Sequence, residues 1–219
     1  TGPFLAVVVY YRRTLAAMTA AVLGSSPQLR AERRLAWQIA LASVPVLVCG
    51  FLFRDLVATL GRDPLVIAAT AIVFGLLLGA ADRYGRRQRS AADLTWGHAV
   101  FIGAAQALAL VPGTSRSGVT MTAGIAAHLR RDEAARFSFL LAVPVGAAAA
   151  LYEGFRLARS GADSSMVFQL LVVVLASALV GIGVIHVLLH YLRRRGFLGF
   201  AIYRVLLGVL ILVVTYARA

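Results

Sequence analysis

The sequence predicts an all-α, polytopic integral membrane protein, and three observations carry that prediction. Of its 219 residues 60% are hydrophobic and the mean hydropathy is +0.84, more apolar surface than a soluble domain of this size can bury. The apolar residues gather into runs close to the roughly twenty residues that a membrane-spanning helix needs. All 22 basic residues are arginine, and they cluster at the ends of those runs instead of on one soluble face, which argues against a nucleic-acid surface. The net charge of +13 therefore reads as an arginine-rich membrane face. The single Cys49 excludes an intramolecular disulfide or a thiolate metal cluster. Residues 1–219 read as one membrane domain.

The opening TGPFLAVVVYYRR holds about eleven apolar-leaning residues before Arg12 and Arg13, too few to span alone. It has neither the basic start nor the small-residue cleavage site of a signal peptide. It reads as the second half of a helix, and the sequence as a fragment. An apolar stretch then runs to Leu23, and GSSPQLRAERR reads as a polar, helix-breaking loop. Leu35–Phe53 and Pro64–Ala81 are long enough to span with modest tilt. Pro45 falls inside the first, where neighbours can take up the carbonyl it frees. DRYGRRQRSAAD, Asp82–Asp93, reads as a basic surface loop.

Trp96–Val111 and Val119–Leu129 are apolar but short, and VPGTSRSGVT lies between them. Two half-length helices around a Gly/Pro break predict a re-entrant hairpin over about 96–129, the device that sets irregular backbone against a polar cavity inside a membrane. Three spans follow, about Ala134–Tyr152, Met166–Leu192 and Phe197–Tyr216. If the hairpin enters and leaves on one face, Arg12, Arg13, Arg30, Arg33, Arg34, Arg83, Arg86, Arg87, Arg89, Arg130, Arg131, Arg136 and Arg193 to Arg195 share that face. Arg54, Arg62, Arg156, Arg159 and Arg218 fall on the other, and Arg116 and Arg204 stay in the apolar layer. The excess makes the first face cytoplasmic. A full crossing would shrink the bias, so the re-entrant reading is preferred.

An arginine in a bilayer core is costly and pairs with a ligand, a carboxylate or carbonyls. Arg116 has no acid within ten residues on either side. It has the hydroxyls of Thr114, Ser115, Ser117 and Thr120, while Gly113 and Gly118 let backbone approach a ligand closely. The second half-helix begins near Gly118, so its free amides and positive dipole end share the place. A guanidinium fork, hydroxyls and a helix N-terminus together suit a tetrahedral phosphate. The competing reading has Arg116 pairing with a carbonyl or a distant acid merely to pin the break.

QALALVPGTSRSG, followed by FSFLLAVP (Phe137–Pro144) and GFLGFAIYR (Gly196–Arg204), resembles the undecaprenyl-diphosphate phosphatases, or bacitracin-resistance proteins. The likeness covers essentially the whole chain. It implies a hydrolase of the bacterial inner membrane with two inverted-topology halves and a site facing the periplasm. That hydrolase removes one phosphate from the C55 diphosphate to regenerate the carrier used for peptidoglycan. The family's glutamate-rich segment and second hydroxyl-rich loop are not found in this sequence and would lie upstream of Thr1. With them would lie most ligands of a divalent cation, Mg2+ or Ca2+, so the fragment alone is not expected to be competent. The resemblance makes Arg116 and Ser115 the candidate catalytic residues, and Gly113, Thr114, Ser117, Gly118 and Thr120 the candidate substrate-binding ones. Arg204, the second arginine within the apolar layer, is a further candidate phosphate contact by its position, with pairing to an upstream glutamate or between helices as the alternatives. No nucleophile or base is assigned. The partners implied are the polyprenyl diphosphate and the bilayer, without nucleic acid, and a homodimer is allowed.

His186 and His190 stand at i, i+4, a metal-holding spacing, but no carboxylate accompanies them. Snorkelling beside Arg193 is the preferred reading. His98 and His128 flank the hairpin and read as structural. Gln106 is placed to reach the cavity, and Glu153 and Asp163 read as solvated loop charges. Two rival functions stand beside the phosphatase. A transporter or flippase of an anionic polyprenyl lipid would use the same inverted repeats and broken helices, and a non-catalytic membrane binding protein would also fit.

Overall fold

The computed structural model describes residues 2–24, 27–53, 57, 59, 63–86, 88–159 and 164–217, without the side chains of Ser164, Ser165 and Arg193. The sequence expectations for Thr1, Arg54, Arg62, Arg87, Asp163 and Arg218 fall outside the described residues. Among those described, nine α-helices are present: α1 Gly2–Tyr10, α2 Arg12–Leu23, α3 Arg30–Leu52, α4 Pro64–Tyr84, α5 Trp96–Ala107, α6 Arg116–Ala126, α7 Arg131–Arg159, α8 Ser164–Arg194 and α9 Leu198–Ala217. Five helical stretches are long and apolar enough to cross a membrane, and a sixth if α1 and α2, bent by 75° against each other, count as one broken span. The outer faces agree with a lipid environment, since Leu171, Leu175 and Leu179 of α8 are all exposed.

Several boundaries depart from the sequence reading, each for a visible reason. The bend at Tyr11 falls where two consecutive arginines interrupt the apolar run, and it turns α2 onto α3. There Arg33 of α3 donates to the Ala21 and Gly24 carbonyls at 2.7 and 2.6 Å, so a guanidinium satisfies the carbonyls left open at the end of α2. GSSPQLRAERR is only partly a loop, because helix resumes at Pro27–Leu29 as a 3-10 turn and continues as α3 from Arg30. Asp82 to Tyr84 extend α4 into the expected loop. The sequence there also conceals a second short turn, Ala91–Asp93, closed by reciprocal Ser90 and Asp93 hydrogen bonds. Those bonds hold the Asp93 carboxyl below the ordinary carboxylate range. α7 runs past Tyr152, so Glu153 is a helical residue paired with Arg156 at 3.6 Å and not a loop charge.

α5 and α6 form the expected broken hairpin, and its two ends are fastened together. The Gln88 and Arg89 amides donate to the His128 carbonyl at 3.0 and 2.9 Å, and the Arg130 amide donates to the Arg89 carbonyl at 3.0 Å. The chain therefore leaves the hairpin beside the point where it entered. His128 adopts a positive φ of 67° to make this turn. His98 caps α5 by hydrogen bonds with Thr95 and lies 3.0 Å from the Arg89 guanidinium. Both histidines thus serve the turns that flank the hairpin.

At the same level Asp82, at the end of α4, receives Arg131 of α7 through two guanidinium contacts of 2.5 and 3.0 Å, and the Phe197 amide before α9 at 3.0 Å. One buried carboxylate so ties three helices where α7 and α9 begin. α4 and α9 meet along a seam of small residues, Ala68, Ala71 and Gly75 against Ala201 and Gly208, which lets their backbones approach as membrane helices do. The core under the hairpin is aliphatic and aromatic, with Ile102, Ile125, Phe137, Leu140 and Leu141 fully buried.

Candidate active site

The break between the half-helices is a tight, strained turn. α5 passes into a 3-10 turn at Leu108–Leu110. The Thr114 amide and hydroxyl both return to the Val111 carbonyl, at 3.3 and 2.7 Å. Gly113 has φ +87°, and a Cβ there would run into Ile67 and Thr70 of α4, so only glycine fits on both counts. Ser115 carries φ 63°, a region that a residue with a Cβ adopts only when its surroundings enforce it. From that position its Oγ caps α6, accepting the Gly118 amide at 3.3 Å. The amides of Arg116 and Ser117 open the helix and have no partner one turn back.

The hydroxyls divide into two sets. Thr114 and Thr120 are buried and turned into the protein, Thr120 donating to the Arg116 carbonyl at 2.8 Å and meeting Ser138 of α7 at 2.6 Å. Ser115 and Ser117 are exposed, 3.4 Å apart at the helix start, beside the exposed Arg116. Arg116, Ser117 and Ser138 line one part of a cavity of about 730 Å³. Its other walls are largely apolar: Phe4 and Val7 of α1, Phe139 and Ala142 of α7, and Val180, Val184 and Ile185 of α8. One space thus offers a cationic, hydroxyl-bearing patch and a long greasy surface.

Arg204 and Gln106 are placed differently. Arg204, 8% exposed, is not among the residues lining this cavity, and it donates to the Gly113 carbonyl at 2.8 Å. Its Nη1 lies 2.5 Å from where a Gly118 Cβ would stand. Gln106 is fully buried in α5 with neither amide atom hydrogen-bonded among the described residues, and it too is absent from the cavity lining. His186 and His190 line a separate, shallow groove on α8 with Arg194 and Arg195.

Two residues of this region went unnoticed in the sequence. Thr70 Oγ1 stands 2.6 Å from the Pro112 carbonyl, closer than to its own helix's Val66 and Ile67 carbonyls at 2.8 and 3.1 Å. A lone threonine in the apolar run IAATAIV gave no local signal for that contact. Ser138 lies inside FSFLLAVP, so the hydroxyl was in view, but its partner on another helix was not. A divalent cation does not fit the residues described. The patch consists of guanidinium, hydroxyls and amide donors, and among the described residues no three His, Cys, Asp or Glu side chains come together to hold a metal.

The chain matches the family model described as bacitracin resistance protein BacA over residues 1–210. It is 46% identical to an undecaprenyl-diphosphatase of Magnetococcus marinus over 217 residues, 96% of this chain and 80% of that relative. An undecaprenyl-diphosphatase of Clavibacter michiganensis subsp. michiganensis is 42% identical over 218 residues, 97% of this chain and 79% of its own. One of Trichlorobacter lovleyi is 42% identical over 211 residues, 95% and 78% respectively.

Proposed function

The chain belongs to the bacitracin resistance protein BacA family, and from that premise we propose that it hydrolyses undecaprenyl diphosphate to the monophosphate, recycling the lipid carrier of peptidoglycan synthesis. The observation that carries the reading is the two-natured cavity, with Arg116 and Ser117 against walls of Phe139, Val180 and Val184. A diphosphate with a long hydrocarbon tail has the same division. The tail's first isoprene units pass from lipid to walls of like polarity, so they are held by packing, and the guanidinium holds the head by a forked contact.

In the overall reaction the water oxygen forms the new bond to the terminal phosphorus, the bridging P–O bond breaks with its electron pair going to the departing prenyl monophosphate, and the proton lost by the water passes to product phosphate or to solvent. Negative charge on the transferred group is met by Arg116, by the amides of Arg116 and Ser117 and by the positive end of α6. Ser115 shapes the turn and caps the helix, and Ser117 offers a hydroxyl to a phosphate oxygen. Thr114 and Thr120 act through the backbone they fasten.

The site is read as opening to the periplasmic side of the inner membrane. Supporting this, Thr70, which holds the turn, is six residues from the Pro64 end of α4 and 14 from the Tyr84 end, about 9 and about 21 Å at 1.5 Å per residue. The Tyr84 end is the arginine-rich one, carrying Arg83, Arg86 and Arg89, which marks it as cytoplasmic.

Phosphate release from C55 diphosphate by the full-length protein in detergent, with and without divalent cation, tests the reading. Arg116→Ala is expected to lose about 10²–10³-fold in kcat/KM, and Arg116→Lys to recover little because it lacks the fork. Movement of the lipid between leaflets without phosphate release would favour the transporter instead.

A further inference from the structure

Arg204 is a guanidinium buried in a helix seam, where charge is expensive and an aliphatic side chain would pack at no such cost. Its position explains what that charge does. We propose that Arg204 is a positioning residue for this reaction: with Thr70 it grips the two consecutive carbonyls behind the turn and so sets the strained conformation that presents Arg116 and Ser117 to the cavity.

The two grips come from adjacent helices. Thr70 of α4 holds Pro112 at 2.6 Å and Arg204 of α9 holds Gly113 at 2.8 Å, and α4 and α9 are packed along their seam of small residues. Because each peptide unit is planar and trans, fixing the Pro112 and Gly113 carbonyls also fixes the orientation of the two peptide planes that follow. Gly113 and Ser115, with φ of 87° and 63°, lie directly in that segment, so the restrained carbonyls and the strained backbone coincide. Arg204 also reaches the far side of the turn, since a Cβ on Gly118 would stand 2.5 Å from its Nη1. The absence of a side chain at Gly118 leaves this space to the guanidinium, with Ser115 closing its other side at 3.3 and 3.4 Å from the same point. Two further groups of the same fork, Nε and Nη1, find no hydrogen-bond partner among the described residues. Arg116 lines the cavity and Arg204 does not, so the two arginines divide the work between gripping phosphate and holding the turn.

This rests on the phosphatase reading, and a double-variant cycle tests it. Phosphate release from C55 diphosphate, with divalent cation present, would be measured for the unaltered full-length protein, Arg204→Ala, Gly118→Ala and the two combined, with thermal melting in detergent alongside. Arg204→Ala is expected to lower kcat about 100-fold, the scale of a misplaced reactive group, while KM changes by less than about threefold. Gly118→Ala alone is expected to lower kcat similarly, yet to cost less than about threefold when Arg204 is already alanine, because the atom it strikes has gone. Arg204→Lys, which keeps charge but not the fork, should recover only part of the loss. If Arg204→Ala fails to fold, Thr70→Val supplies the second arm and should lower kcat with KM unchanged. A KM that rises more than about tenfold with Arg204→Ala, or equal Gly118→Ala costs in both backgrounds, overturns the inference, as does an unaffected kcat for Thr70→Val. Absence of phosphate release from the unaltered protein would instead remove the phosphatase reading itself, and loss of release in Arg116→Ala beside an additive cycle would remove this inference alone.

Discussion

Ser115 concentrates the local conflict of the site, because it holds a left-handed φ of 63° and caps α6 in the same conformation. The strain costs about 1–3 kcal/mol and the cap returns about 1 kcal/mol. Ser115→Ala keeps the strain and loses the cap, so it should melt lower by an amount near 1 kcal/mol. Ser115→Gly loses the same cap but relieves the φ, so it should melt no lower than Ser115→Ala, while phosphate release falls in both. A glycine variant melting well below the alanine variant would show that φ at 115 stores no strain. Such detail was partly legible in the sequence: PGTSRSG announced a glycine-rich break with an arginine and hydroxyls. Which hydroxyls face inward was not, because that depends on Ser138 of α7 and on the Val111 carbonyl, groups that nothing in the local pattern singles out.

At the scale of elements, the hairpin and the five long helices follow from apolar run lengths, and their ends do not. Run length reports where side chains stop being greasy, whereas helix ends depend on who satisfies the last carbonyls. Arg33 ends α2 from another helix, and Ser90 with Asp93 builds a turn inside what read as plain loop. The same limit hid Asp82, written as the first residue of a basic loop but buried as the shared acceptor of Arg131 and the Phe197 amide. Removing it strands Arg131 and an amide near the starts of α7 and α9. Asp82→Ala is therefore expected to destabilise by about 3–5 kcal/mol and Asp82→Asn by less, read from thermal or denaturant unfolding in detergent. An alanine variant with unchanged stability would show that the three helices are held by packing alone.

The whole molecule combines a charge gradient with a polar site placed off-centre in an apolar body. The arginine-rich ends of α3, α4, the hairpin, α7 and α8 gather on one face. Arg34 and Gln38 of α3 both bond the Leu94 carbonyl just before α5, and Asp82 bonds the starts of α7 and α9 at the same level. From there the hairpin carries its turn toward the opposite face, to a cavity whose remaining walls are lipid-like. In the proposed reading that geometry separates head from tail, with α6 and Arg116 taking the charge and α1, α7 and α8 the hydrocarbon. The direct measurement is the affinity of a hydrolysis-resistant C55 methylene-diphosphonate for the unaltered protein, Arg116→Ala and Ala142→Trp. Binding weakened by at least about tenfold, or 1.4 kcal/mol, in both variants is predicted, because one loses the head contact and the other fills the apolar wall. Unchanged affinity in Arg116→Ala and Ala142→Trp would contradict the account, since the lipid would then be held elsewhere.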